Sequence, residues 1–194
     1  MMTIRFVSVC RGGDWKDLFE YNVQVDMDRV QDASMVQFDM GSPVEVMVKK
    51  NNGMIHEVDI RPQARKVQYV QNKNVITFTL DKPQYLSVEF NGDRLHNLHL
   101  FANPMETETY SEEEKGVMYF GPGVHRPKDL PNNQIRIPGN TTVYLAPGAV
   151  VKAKLLLDKV ENVRIIGRGQ IGWIHERPFR PQEPARTSCV RAAV

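Results

Sequence analysis

The 194-residue chain is poor in cysteine, with only Cys10 and Cys189. Two thiols so far apart in sequence give no disulfide framework and no metal-type spacing, and leave a single bridge between them open. Excess charge is also missing: 25 Lys and Arg stand against 23 Asp and Glu, a formal net charge of +2. That balance removes the electrostatic case for nucleic acid or an anionic membrane as partner. No apolar run approaches the roughly 20 residues that span a bilayer. Met1 to Cys10 carries one charge and no apolar run of signal-peptide length. It reads as a strand entering the Arg11-Gly12-Gly13-Asp14 turn of a soluble chain, cytoplasmic or secreted. No segment keeps a helical period over three turns, so the fold class is all-β.

What is present is a succession of short apolar strands. Pro43 to Lys49 alternates apolar and polar residues, and Lys50-Asn51-Asn52-Gly53 supplies a turn ending in Asn-Gly. Met54 to Ile60, Val67 to Val70, Val75 to Leu80, Tyr85 to Phe90 and Leu95 to Phe101 follow. Asn, Gly and Pro punctuate them, as in Asn91-Gly92-Asp93. Strands of about five or six residues at such intervals predict an antiparallel β-sandwich, laid out as a meander over residues 1–103. Residues 104–115 are polar and acidic and predict an exposed linker, with Glu112-Glu113-Glu114 a solvated run rather than a metal or substrate site.

Beyond the linker the sequence repeats itself. Tyr119-Phe120-Gly121-Pro122-Gly123-Val124 is answered by Tyr144-Leu145-Ala146-Pro147-Gly148-Ala149, then by Arg164-Ile165-Ile166-Gly167-Arg168-Gly169, at steps of 25 and 20 residues. Each unit is a short apolar strand that ends in a Gly- or Pro-bearing corner. A period of about 20–50 residues marks a solenoid, in which each unit buries its apolar face against the next. Residues 116–175 therefore predict the opening coils of a parallel β-helix. Lys159-Val160-Glu161-Asn162 predicts a corner at which stacked asparagines satisfy backbone groups. Residues 176–194, with Pro178, Pro181 and Pro184, read as a Pro/Arg-rich tail or cap.

These three units, with Asn140 to Val151 and Asn162 to Gly169, resemble the opening coils of polygalacturonase-type glycoside hydrolases, of the pectin lyase-like architecture. Dextranase-type relatives share that right-handed β-helix and often carry a β-sandwich in front of it. The resemblance implies a polysaccharide or oligosaccharide as partner, inverting hydrolysis by general acid in a full-length enzyme, and no metal or other cofactor. Two departures stand out. Gly172-Trp173 occupies the place of an expected Asp-Gly, and the family's Asp-Asp and Gly-His-Gly motifs do not occur. Asn91-Gly92-Asp93 and Arg126-Pro127-Lys128 match the remaining two motifs only as tripeptides in the wrong places, so no catalytic residue is assigned. The chain itself is expected to be non-catalytic. A carbohydrate-binding module, or a structural fragment that self-associates through an open β-helix end, are the alternatives.

Other chemistry-bearing residues weigh less. Gly167-Arg168-Gly169-Gln170-Ile171-Gly172 spells a dinucleotide fingerprint, but Trp173 to Pro184 cannot build the helix that would hold the phosphate. Asp26 and Asp28 would share one strand face, and Asp39, Asp158 and Glu161 stand singly. His96 and His99 fall on opposite faces of one strand, unsuited to joint metal ligation. Trp15 and Trp173 are the candidate sugar-stacking residues, with packing the competing reading for each. Tyr21, Tyr69 and Tyr85 read as members of strand faces.

Overall fold

The computed structural model describes residues 4–26, 28–126 and 131–172. The first ten strands are β1 (Ile4–Arg11), β2 (Asp14–Asp17), β3 (Tyr21–Val25), β4 (Gln31–Met40), β5 (Val44–Lys50), β6 (Val58–Arg61), β7 (Tyr69–Asn72), β8 (Val75–Leu80), β9 (Gln84–Phe90) and β10 (Asp93–Pro104). They form two five-stranded sheets, ordered β2-β1-β5-β8-β7 and β3-β4-β10-β9-β6. The alternation in β5 places Val44, Val46 and Val48 on one buried face. They meet Ile76, Phe78 and Leu80 of β8 and, from the other sheet, Val36, Leu86, Val88, Leu98 and Leu100 in one apolar cluster. Each such side chain contributes about 1.5–3 kcal/mol by leaving water.

The sandwich departs from a meander in three places. The chain crosses between the sheets five times, at β2–β3, β4–β5, β5–β6, β6–β7 and β8–β9, so Lys50 to Gly53 closes no hairpin. Instead the following loop buries Ile55, at 5% exposure, in the core. Second, β10 runs parallel to β4, with Leu98 opposite Ser34 and Pro104 opposite Met40, while all other pairs in the sandwich are antiparallel. Parallel neighbours need a long connection, which β5 to β9 provide. Third, Asp26 and Asp28 share no strand face. Asp26 has φ 57° and accepts from the Asp28 and Arg29 amides at 3.3 and 3.2 Å, an Asx turn between β3 and β4.

A second compact unit runs from Glu106. Its strands are β11 (Val117–Phe120), β12 (Gly123–His125), β13 (Gln134–Arg136), β14 (Thr142–Leu145), β15 (Ala149–Val151), β16 (Lys154–Leu156), β17 (Arg164–Gly167) and β18 (Gln170–Ile171). They stack in three parallel sheets, β11-β14-β17, β12-β15-β18 and β13-β16, which is a parallel β-helix. Leu145, Ala149, Val151 and Ala153 fill its interior, with Phe120 and Ile135 packed against them. The predicted corner ladder is present: Asn162 Nδ2 donates to Asn140 Oδ1 at 3.0 Å, both residues having φ near 55°.

The repeat spacing needs correcting. Tyr119 stacks on Tyr144, a step of 25, but Tyr144 stacks on Ile166, a step of 22 rather than 20. Local similarity follows the glycines, whereas register follows backbone hydrogen bonds and corner length. At Gly167 the two meet. Its φ is +119°, and a Cβ there would lie 2.1 Å from the Leu145 carbonyl oxygen. That oxygen accepts from the Arg168 and Gly169 amides at 2.8 and 3.0 Å. A Cβ on Gly169 would fall 2.7 Å from Leu145 Cβ. The glycines that spell a nucleotide fingerprint therefore let one coil's backbone rest on the coil before it.

Candidate functional site

The outer face of the β3-β4-β10-β9-β6 sheet carries a groove of about 530 Å³. Strand alternation builds it. In β9, Leu86 and Val88 turn into the core, which leaves Tyr85, Ser87 and Glu89 outward. In β10, Leu98 and Leu100 turn inward and His99 and Phe101 outward. Register then places His99 opposite Ser87, Phe101 opposite Tyr85, and Ser87 opposite Arg61 of β6. Pro62 and Gln63, just after β6, complete one wall.

Tyr85 and Phe101 meet edge to face, their centroids 5.3 Å apart, and Tyr85 is 58% exposed. Arg61 is held from below: its Nη2 lies 2.6 Å from Asp59 Oδ2 and its Nε 3.1 Å from Glu89 Oε1. Ser87 Oγ accepts from Asn97 Nδ2 at 2.9 Å and donates to Glu89 Oε1 at 3.3 Å. This polar floor is fixed by hydrogen bonds before any ligand arrives.

Burial pushes the His99 imidazole below its ordinary value. The neutral ring is favoured in the folded chain, so its stabilising contribution is whole above the unfolded value of about 6.5. It is lost as pH falls through the lower folded value. Arg61, two strands away across Ser87, is the cation of the same face. The His99 ring proton should therefore titrate below about 6.5 by NMR. A midpoint at or above that value would contradict this environment.

A second polar cluster lies within the β-helix unit. Tyr144 is buried between Tyr110 and Tyr119, at ring distances of 5.5 and 5.8 Å, and its hydroxyl donates to Glu106 Oε2 at 3.2 Å. Burial, then the Glu106 carboxylate, push its phenol up to about 12. Arg164 pairs with Glu108 at 2.7 Å and holds that carboxyl below its ordinary value. Part of the segment read as an exposed linker thus packs on β14 and β17. Glu106 partners the Tyr144 hydroxyl, and Glu108 and the Tyr110 hydroxyl partner Arg164. Glu112 to Glu114 do lie exposed.

The residues nominated from the sequence scatter. Trp15 sits half-buried on the edge strand β2, opposite Cys10. With Ser8 and Asp17 it belongs to the outer side of the β2-β1-β5-β8-β7 sheet, so it takes no part in the groove. Trp173 lies outside the described residues, as do His175, Cys189 and the 176–194 tail. Asn91 proves richer than its turn: it accepts from the His56 and Glu57 amides at 2.8 and 3.2 Å and donates to the Met54 carbonyl at 2.9 Å. Asp158 meets Arg136 at 3.5 Å. His96 bonds Asp93 at 2.9 Å while His99 faces the groove. The residues missed were Arg61, Ser87, His99 and Phe101. Their signal was the outward half of two period-2 strands, with one aromatic on each.

No protein-family model matches the chain, and neither does any curated protein. Among solved structures, Dex49A from Penicillium minioluteum is similar, with a TM-score of 0.68 and 19% sequence identity. The match covers 88% of this chain and 46% of that chain, so this chain spans about half the length of Dex49A. The shared fold is a β-sandwich followed by the first coils of a β-helix.

Proposed function

We propose that the chain is the N-terminal portion of a polysaccharide-degrading glycoside hydrolase. In this reading it belongs to the dextranase and polygalacturonase type, inverting in the whole enzyme, and itself supplies scaffold rather than the acid and base. The observation that carries it is the closure of the β11-β14-β17 stack through Gly167 and Gly169, set after a sandwich in the same order as in Dex49A.

The scaffold part rests on what the carboxylates do. Glycoside hydrolysis needs two carboxyl groups roughly 5–10 Å apart across a cleft, one of them protonated near neutral pH. Glu106 accepts from the Tyr144 hydroxyl, Glu108 pairs with Arg164, Asp158 with Arg136, and Asp26 closes a turn. Each has a structural task. Reducing-end assays on dextran and polygalacturonate with the 194-residue chain test this. No release above buffer is expected; release that disappears in a Glu106→Gln or Glu108→Gln variant would overturn it.

A further inference from the structure

We infer that the groove on the sandwich, between Arg61, Tyr85, Ser87, His99 and Phe101, is a binding site for a neutral oligosaccharide chain, separate from any hydrolytic centre. It stands on the groove's own atoms and does not rest on the hydrolase reading.

Polar atoms without a protein partner converge there. Arg61 spends its Nε and Nη2 on Glu89 and Asp59, which among the described residues leaves Nη1 with two hydrogens unmatched. Among the described residues, the Tyr85 hydroxyl and both His99 ring nitrogens have no hydrogen-bond partner. The His99 ring, kept neutral, offers one donor and one acceptor. Beside them the exposed Tyr85 ring, propped by Phe101, gives a flat apolar surface. A pyranose has this same split character, with an apolar C–H face and a rim of hydroxyls that both donate and accept. The volume of about 530 Å³ falls within the range of ligand sites. The groove opens on the sheet face, and at the edge strand β6 its wall turns at Pro62, which has no amide to pair with an incoming peptide strand.

Charge decides between sugar classes. Arg61, the cation among the described residues that line the groove, is already held by two carboxylates, Asp59 and Glu89. A uronate chain would bring further negative charge against that pair, so a neutral hexose polymer fits and a polyuronate does not. Because Tyr85 is mostly exposed, it can be truncated without opening the core.

The test is NMR titration of the full chain with isomaltohexaose, maltohexaose, cellohexaose and hexagalacturonate at about 10 mM, where even a millimolar site fills. Amide shifts should gather at residues 61–63, 85–87 and 99–101 with at least one neutral hexamer. Tyr85→Ala should weaken binding about tenfold or more, and Tyr85→Phe by less, since the ring is kept. Trp15→Ala should leave affinity unchanged. Unchanged circular dichroism in Tyr85→Ala confirms that loss comes from the ring. The proposal is overturned by silence toward all three neutral hexamers, by tighter binding of hexagalacturonate, by shifts centred on Trp15, or by a Tyr85→Ala variant that binds normally. None of these outcomes depends on whether any polymer is cleaved.

Discussion

Gly167→Ala should destabilise the β-helix unit by about 3 kcal/mol or more. Two costs act together. The residue has φ +119°, a conformation that L side chains rarely adopt. The new methyl would also sit 2.1 Å from the Leu145 carbonyl oxygen, which is backbone and cannot rotate away. Relief requires β17 to lift from β14, and that breaks the Arg168 and Gly169 bonds to Leu145 as well. Hydrogen exchange locates the damage. Amides of β14, β17 and the 168–169 corner should lose protection by two or more orders of magnitude, while those of β8 and β9 keep theirs. Gly148→Ala is the internal comparison: φ is +82°, but the nearest atom is a side-chain carbon at 3.7 Å, so only the backbone strain of about 1 kcal/mol remains. Equal effects at the two glycines would mean that the coils do not stack as described.

Asn91→Ala should cost the sandwich about 2–3 kcal/mol, much more than a turn residue at the surface normally would. Its side chain holds three backbone groups of residues 54–57, and its own amide donates to the Glu57 carbonyl at 3.0 Å. Those bonds fix the loop that buries Ile55. Alanine also inherits φ 57°. Glycine at the same position separates the terms, since it relieves the backbone and still lacks the bonds. Chemical denaturation followed by tryptophan fluorescence should rank wild type above Asn91→Gly, with Asn91→Ala lowest by about a further 1 kcal/mol. A wild-type-like Asn91→Ala would show that the loop is placed by Ile55 alone.

How far the sequence reveals this molecule can be followed strand by strand. In β5, Val44, Val46 and Val48 are buried and alternate with Glu45, Met47 and Lys49, so alternation alone locates it. In β4 the pattern fails, because Ser34 faces the interior and is matched there by Glu20 at 2.5 Å. A buried hydroxyl with a distant partner looks like surface until the partner is known. The parallel pairing of β4 with β10 is equally hidden, since turn residues reveal only which strands are neighbours in sequence. The coils were legible for the opposite reason: glycine and asparagine are demanded where backbone meets backbone, and those residues repeat. The site was the least legible part. Tryptophan draws attention in a sequence, yet Trp15 lies on the other sheet, and the groove is assembled from β6, β9 and β10 by register that no local pattern encodes.

The central reading, that these residues open a glycan-cleaving enzyme, is tested most directly by the anomer of its product. The longest product of the reading frame that contains the chain should be incubated with dextran and with polygalacturonate and followed by proton NMR from the first minutes. Cleavage of one polymer is expected, with the new reducing end appearing first in the configuration opposite to the bond cleaved. A folded product that extends past residue 194 and leaves both polymers intact would contradict it.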